Sequence, residues 1–444
     1  MSVGAIVLAL ALPILFLHVD YQPSVSLPLG GTFKLQDAAA LAVLAAASLT
    51  GLRTGFERLR PGRSVWIAIA LFVVWILAGV LYPLAGAYAY HWRTHLVTAG
   101  EFFEYALLAP ALPLLVRCRE ERLLVAGALT AWAVVAGLVG LLQWGGWEIL
   151  GAYPQGMRQP SFLGPHDFAA LGAAVLGIGF VGLLAGPTDR RLRSGAYVAV
   201  LAGAIDFVLG GATAAIVGLA AGTAALLAVA LRRHWTTGRN AAVYVCVAAL
   251  ASAGVLALRS NDFGQFFDFL GAREAQSAGR HVQTYSQRTL VAYIGLRIWL
   301  HHPLVGAGWQ ASFEPSIVDP ELPAAHRHFP NLAPLAFPTA QHEYGIQVLY
   351  LQTLADLGIV GFALLLAALA TPLVLAGRVA WRGPPASAPT AALALYLLLL
   401  CDGLWTAVGL VAGLPLDALT WLAVGTAAVA AADAAASPSG MITR

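Results

Sequence analysis

Residues 196–231 read AYVAVLAGAIDFVLGGATAAIVGLAAGTAALLAVAL, an apolar run in which Asp206 is the single charged residue. A helix needs about 20 apolar residues to cross the hydrocarbon core of a bilayer, so the run predicts two consecutive membrane-spanning helices. We place their junction at Gly210-Gly211, because glycine is a poor helix former. The whole chain has the same character: 59% of its 444 residues are hydrophobic and 11% are charged. This composition is typical of polytopic membrane proteins and excludes an ordinary soluble domain.

Twelve apolar runs are suitable for membrane spans, and a helix is expected for each because a backbone in lipid must satisfy its own hydrogen bonds. The runs lie near 3–18, 35–51, 64–84, 99–116, 123–144, 167–186, 196–210, 212–231, 241–258, 346–376, 390–411 and 415–436. The predicted fold class is therefore an all-α integral membrane protein with about 12 transmembrane helices. Residues 1–258 hold helices 1–9, residues 346–436 hold helices 10–12, and residues 437–444 form a cytoplasmic tail.

Residues 259–345 form the one large polar interruption, and an amphipathic helix is predicted within it from Thr289 to Leu300. Arginine clusters follow every second predicted span and so lie on one side of the membrane, which the positive-inside rule makes cytoplasmic. Both termini are then cytoplasmic, and the large loop lies on the outer, periplasmic face. These clusters are Arg53 to Arg63, Arg117 to Arg122, Arg190 to Arg193, Arg232 to Arg239, and Arg378 with Arg382.

The outer face carries arginines against this trend, at Arg158, Arg280 and Arg288. A guanidinium group is permanently charged and forked, so it can bind a phosphate or diphosphate with two hydrogen bonds. The alternative for each arginine is a side chain that reaches lipid headgroups or pairs with a local carboxylate.

Histidines also concentrate on the outer side, where ten of the eleven fall. His342, at the start of the tenth span, is a candidate general base for a sugar hydroxyl, or else a polar residue at a helix start. His326 and His328, together with Trp309 and Glu343, are candidate contacts for a sugar or acceptor. The spacing around His326 and His328 does not match a known metal site, so no metal is predicted. No cofactor is expected either. Asp206 and Asp402 lie inside spans, where a carboxylate either has a function or forms a hydrogen bond between helices.

The order of these features resembles the O-antigen ligase and polymerase superfamily, which are GT-C-like membrane glycosyltransferases. Three stretches carry the resemblance: Arg158 to Ala169 with Pro165-His166, Arg288 followed by HPLVGAG at 302–308, and His342 to Gly361. Family members carry asparagine where His166 stands. Alignment on Gly358 would place Gln347 opposite the family histidine. His342 is preferred, because it keeps the family's His-to-Gln spacing and only histidine can accept the proton.

The resemblance implies that Arg158 and Arg288, with Arg280 as a third contact, hold the diphosphate of an undecaprenyl-diphosphate-linked glycan. His342 would deprotonate the acceptor hydroxyl for an inverting displacement without metal, on the outer face of a bacterial inner membrane. The expected partners are this glycan donor, a glycan or lipid acceptor and the bilayer, with no nucleic acid. A repeat-unit polymerase of the same superfamily remains an alternative, as does a polytopic transporter.

Overall fold

A computed structural model describes residues 1–26, 32–86, 89–153, 156–186, 189–260, 284–332, 334–339, 345–408 and 415–437. The helices before the large loop are α1 Val3–Leu15, α2 Leu35–Thr54, α3 Arg63–Leu81, α4 Trp92–Ala106, α5 Leu108–Leu115, α6 Arg119–Trp144, α7 Pro165–Leu184, α8 Arg190–Gly210, α9 Thr213–Arg232 and α10 Gly238–Leu258. The helices that follow are α11 Thr284–His301, α12 Pro315–Val318, α13 Leu322–His328, α14 Leu349–Arg382, α15 Ala388–Leu404 and α16 Pro415–Ala436. A small antiparallel hairpin pairs β1 Ser24–Ser26 with β2 Thr32–Lys34.

Within the described residues, 9 helical segments are long and apolar enough to cross a membrane. Two further apolar helices, α1 and α15, are shorter. The predicted span at 99–116 is divided into α4 and α5, which meet at Leu107. A helix therefore occupies each of the twelve predicted runs, and the all-α membrane class is confirmed. The number of crossings remains a prediction.

The junction predicted at Gly210-Gly211 is confirmed, since α8 ends at Gly210 and α9 begins at Thr213. Gly211 has a φ of 61°, in the left-handed region that favours glycine. A Cβ atom at Gly211 would also lie 2.9 Å from the Cβ of Arg158. This turn therefore reverses the chain and brings the segment before α7 against the end of α8.

Helix α7 lies at the centre of the bundle and is buried along most of its length. It approaches α8 closely through Gly172 and Gly203, where added Cβ atoms would overlap the main chain of the facing helix. It also packs against α6, α9 and α15. A helix surrounded in this way is apolar on all sides, so the polar residues at its ends are the ones able to meet a substrate.

The two ends of the bundle differ in the residues they gather. At one end the Ser2 N–H donates to Glu121, 2.9 Å away, and Arg58 pairs with Asp433 at 2.8 Å. Arg233, which directly follows α9, donates to the carbonyl oxygens of Ala380 and Gly383 at the end of α14, each at 2.8 Å. These contacts join connections that carry the arginine clusters. Which end faces the cytoplasm remains a prediction.

The described part of the large loop has its own small apolar core. Helix α11 contributes Leu290, Val291, Ile294 and Ile298, which recur at helical spacing on one face. They pack with residues of α12 and α13 and with Phe337 and Ile346. The amphipathic helix predicted at Thr289 to Leu300 thus lies inside α11.

Candidate functional site

Three arginines converge on His166, the second residue of α7. The positive charges of Arg288, Arg158 and Arg259 all act on its imidazole ring. Arg158 lies in the connection before α7, Arg259 directly follows α10, and Arg288 is in the first turns of α11. We call these three residues, with His166, the arginine cluster. Three segments that are distant in sequence, around Arg158 to His166, Arg259 and Arg288, therefore meet at one end of the central helix.

The C-terminal end of α8 positions two members of the cluster. The N–H of Gln159 donates to the carbonyl oxygen of Leu209 at 2.8 Å, which fixes the main chain next to Arg158. Arg259 is 7% exposed, and its Nη1 donates to the carbonyl oxygen of Gly211 at 3.4 Å. Cations are favoured at a helix C-terminus, where carbonyl groups lack partners within the helix.

Buried hydrogen bonds hold the segment between Arg158 and His166. The Gln143 side chain accepts from the Ser161 N–H at 2.9 Å and donates to the Ser161 carbonyl at 3.1 Å. The Ser161 hydroxyl donates to the carbonyl oxygen of Ala136 at 2.9 Å. Because its partners lie on α6, this segment is fixed to the bundle before any ligand arrives, as a preorganised site requires.

The Nδ1 atom of His166 is buried and has no hydrogen-bond partner within the described residues. Buried polar atoms without partners are rare, and one that faces a cluster of charges requires an explanation. Asp167, the next residue in α7, is buried and engaged in interactions of its own. Guanidinium groups and a helix N-terminus both favour a negatively charged ligand. The arrangement is suited to an anion.

The structure brings together Arg158 and Arg288, two of the residues predicted from the sequence. Arg280, His342 and Glu343 lie outside the described residues. Sequence reasoning gave no role to Arg259 or His166. Arg259 was available as a signal, because it is a further arginine on the predicted outer side, directly after an apolar span. His166 stands where the resembled family has asparagine.

The three predicted sugar contacts that are described have different surroundings. Trp309 is 0% exposed; its Nε1 donates to Thr98 Oγ1 at 2.9 Å and its ring packs edge-on against Phe102. It therefore has no free surface for a sugar in this structure, and its observed role is packing. His326 stacks on Phe337 and His328 stacks on Tyr293 of α11, and both histidines remain exposed.

The HPLVGAG stretch has a structural role. The N–H groups of Ala307 and Gly308 donate to Ala355 and Asp356, at 2.9 and 2.8 Å, and the Ile359 N–H donates to Pro303 at 2.9 Å. These bonds use carbonyl and N–H groups that α14 leaves open where Gly358 interrupts it. Two of the three stretches that carry the resemblance thus pair with each other. We call this pairing the brace.

A second contact joins the large loop to the first turn of α4 and the residue before it. Glu314 is 4% exposed and is bonded by His95 Nε2 at 2.6 Å, by His91 Nδ1 at 2.9 Å and by the His91 N–H at 2.9 Å. Burial opposes ionisation of Glu314, yet the His91 N–H and the two imidazoles hold its pKa below the ordinary value. We call this contact the Glu314 clasp. Among the described residues, no group of three or more His, Cys, Asp or Glu side chains is arranged to hold a metal ion.

Asp206 lies about one turn before the end of α8, with both carboxylate oxygens buried and without hydrogen-bond partners in the described chain. Its Oδ1 occupies the space beside Gly137 of α6, where a Cβ atom would lie 2.5 Å away. Asp402 is half-buried in α15. The helix-to-helix hydrogen bond considered for Asp206 is absent among the described residues.

Comparison with protein families matches residues 197–366 to the family model described as O-Antigen ligase. The match begins in α8 and ends in α14, so it contains Arg259, Arg288 and the brace. It confirms the resemblance to the O-antigen ligase superfamily. No curated protein matches the chain.

Proposed function

Since residues 197–366 match the O-antigen ligase family, we propose that the protein is a membrane glycosyltransferase of the ligase type. It transfers a glycan from undecaprenyl diphosphate to an acceptor hydroxyl on the outer face of the bacterial inner membrane. The observation that carries the proposal is the convergence of Arg158, Arg259 and Arg288 on His166. A transferase with such a donor needs a strongly cationic site at the membrane edge, and this cluster has that character.

A diphosphate matches the chemistry of the arginine cluster. Guanidinium groups bind phosphate oxygens through paired hydrogen bonds and keep their charge at any physiological pH. The α7 N-terminus presents main-chain N–H groups to the same place, and helix N-termini are common phosphate sites. His166 can add a hydrogen bond from its buried ring nitrogen. Because the cluster is partly removed from water, these interactions are stronger than on an open surface.

In the proposed reaction, the acceptor oxygen attacks the anomeric carbon of the glycan from the side opposite the diphosphate. The bond from that carbon to the diphosphate oxygen breaks, and undecaprenyl diphosphate leaves. The configuration at the anomeric carbon of the transferred glycan is inverted. The arginine cluster stabilises the charge that develops on the leaving group. The hydroxyl proton passes to His342 as general base. The roles of His342 and of Arg280 rest on the family resemblance alone.

A repeat-unit polymerase would use the same donor site, since it differs in the acceptor, which is another lipid-linked glycan. The described residues favour neither acceptor. A transporter predicts paired ionisable groups near the middle of the membrane. Asp206 is a buried carboxylate of α8, but it lies only about one turn from the end of that helix and has no ionic partner among the described residues, so we place the transporter last.

The test is transfer by purified protein, supplied with a polyprenyl-diphosphate-linked oligosaccharide and a panel of acceptors, with and without a chelator. We expect Arg288→Ala and Arg259→Ala to reduce kcat/KM by about 100-fold, the typical loss for one charge-stabilising group. Arg327→Ala removes an exposed arginine of the same loop and should leave the rate within about twofold, as surface substitutions do.

Three results separate the alternatives. Loss in the arginine variants together with His342→Ala would support the transferase and its base. Loss in the arginine variants alone would keep the transferase and assign the base to another residue. No turnover with any acceptor, accompanied by solute uptake into vesicles, would replace the proposal with a transporter.

A further inference from the structure

We propose that a groove between α6, α8 and α10 holds the first isoprene units of the donor's polyprenyl chain. The groove has a volume of about 600 Å³, within the range of ligand sites in proteins. The inference rests on the proposed function, because it assumes that a lipid diphosphate occupies the arginine cluster. It assigns a binding site to the part of the donor that does not react.

All side chains that line the groove are apolar. The groove is formed by Leu141 and Trp144 of α6, by Ala204, Ile205, Val208 and Leu209 of α8, and by Val247, Leu250, Ala251, Gly254, Ala257 and Leu258 of α10. Small residues form its floor, so α8 and α10 leave a recess between their larger neighbours. Leu250 is 73% exposed and Trp144 is 45% exposed, so the groove opens sideways towards the lipid.

The groove occupies the half of the bundle nearest the arginine cluster. Its lining along α10 runs from Val247 to Leu258, a rise of about 16 Å at 1.5 Å per residue. That length is about half of the 30 Å hydrocarbon core. A chain lying in the groove would therefore extend from the membrane edge to about the middle of the bilayer.

The upper end of the groove is continuous with the arginine cluster. Leu258 is followed by Arg259, whose Nη1 contacts the carbonyl oxygen of Gly211. Leu209 lines the groove and, through its carbonyl oxygen, binds the N–H next to Arg158. An occupant must therefore carry an anionic group at one end and an apolar chain at the other. A lipid diphosphate has this order of groups, whereas an apolar helix of a second copy would place no anion beside the arginines.

The experiment compares binding of farnesyl diphosphate and inorganic pyrophosphate to the full chain in phosphatidylcholine nanodiscs. The groove variant is Ala257→Phe, which fills the upper end from an exposed position. The matched control is Ala249→Phe, an exposed alanine of the same helix that does not line the groove. Because farnesyl groups partition into any bilayer, the difference between these two variants is the decisive quantity. Ala204→Phe, at the lower end of the groove, serves if Ala257→Phe does not fold.

We expect wild type and Ala249→Phe to bind farnesyl diphosphate at least tenfold more tightly than pyrophosphate. Ala257→Phe should lose that preference and keep its affinity for pyrophosphate. Equal preference in all three proteins would overturn the groove while leaving the arginine cluster intact. Absence of pyrophosphate binding by the wild type would instead remove the proposed function and the groove with it. A wild-type dimer that Ala257→Phe separates would identify the groove as an interface between copies and overturn the inference.

Discussion

At the first turn of α7, the ring of His166 faces three guanidinium groups and keeps a buried nitrogen without a partner in the described chain. Packing alone would not select an imidazole here, because a buried polar atom without a hydrogen bond costs about 1–3 kcal/mol. A bound anion would supply the missing acceptor. Asparagine, which the resembled family has at this position, also offers an N–H donor, at the end of a short side chain.

We therefore predict that His166→Asn retains transfer activity within about tenfold of wild type, whereas His166→Ala loses about 100-fold, the typical effect of removing one donor. The measurement is kcat/KM for the lipid-linked donor, alongside a check that both variants remain folded. If the two substitutions have the same effect, the ring nitrogen does not bind the donor and His166 has a packing role.

The Glu314 clasp is a second contact whose effect is decided by single residues. We predict that Glu314→Gln lowers the free energy of unfolding by about 1–3 kcal/mol at pH 7, because a buried charge-assisted hydrogen bond is lost. Glu57 pairs with Arg60 on an exposed surface, and Glu57→Gln should change stability by less than about 0.5 kcal/mol. Thermal unfolding of the purified variants measures both.

This prediction includes a pH dependence of known sign. The pKa of Glu314 is lowered in the folded protein from 4.5, so its stabilising contribution is complete above that value and disappears as the pH falls through the folded pKa. The difference in Tm between wild type and Glu314→Gln should therefore shrink as the pH falls below about pH 4, where the carboxylate becomes protonated. A difference that does not shrink between about pH 5 and about pH 3 would contradict the clasp.

Among elements, α14 shows that the HPLVGAG motif has a structural role, because the two pair through main-chain hydrogen bonds. Gly306 and Gly358 have φ angles of 76° and 66°, and Cβ atoms at either would overlap the facing main chain. A side chain at these positions must therefore strain the backbone and separate the two segments of the brace. The brace in turn supports α11, which carries Arg288 and packs against α14.

Gly306→Ala and Gly358→Ala are each predicted to lower the free energy of unfolding by about 1–3 kcal/mol because of the strained backbone. The overlap of the new Cβ atom with the main chain should lower it further. Gly377→Ala in the same helix meets nothing within 4 Å and should be neutral or stabilising by up to about 1 kcal/mol. Thermal unfolding in detergent compares the three. Equal stability for all three variants would show that the brace is not needed for the fold.

At this scale the sequence was informative about helices and less so about how they divide. Apolar length alone located twelve helical segments, because each satisfies its own backbone hydrogen bonds. Gly210-Gly211 was correct as a junction since the turn needs a left-handed residue. The division of the 99–116 run into α4 and α5 was not predicted, because the run is apolar throughout most of its length. The pairing of HPLVGAG with α14 was also invisible, since it joins main-chain atoms of two distant segments.

For the whole molecule, the candidate site was predictable in part. Arg158 and Arg288 were identified by their charge on the predicted outer side, a property of each residue separately. Their meeting with Arg259 around His166 depends on the packing of three segments that are distant in sequence, which no local pattern encodes. The same holds for Trp309, whose aromatic character suggested a sugar contact although packing buries it completely.

The orientation of the bundle remains the prediction on which the outer-face proposal depends. The arginine cluster and the arginine-rich connections lie at opposite ends of the helices that join them, as in α8, which begins at Arg190 and ends at Gly210. The positive-inside rule assigns the Arg190 end to the cytoplasm. The polar headgroup of the donor and the acceptor would then meet on the outer face of the membrane, as the proposed transfer requires.

Cysteine labelling tests this orientation in a variant whose three native cysteines are replaced by alanine. Glu148→Cys reports on the connection before α7, and Gly238→Cys reports on the connection before α10, where a side chain meets nothing within 4 Å. In spheroplasts, a membrane-impermeant maleimide should label Glu148→Cys at once and Gly238→Cys only after permeabilisation. Each variant serves as the other's control for reactivity. The reverse pattern would place the arginine cluster in the cytoplasm, leaving the fold unchanged and removing the outer-face transferase.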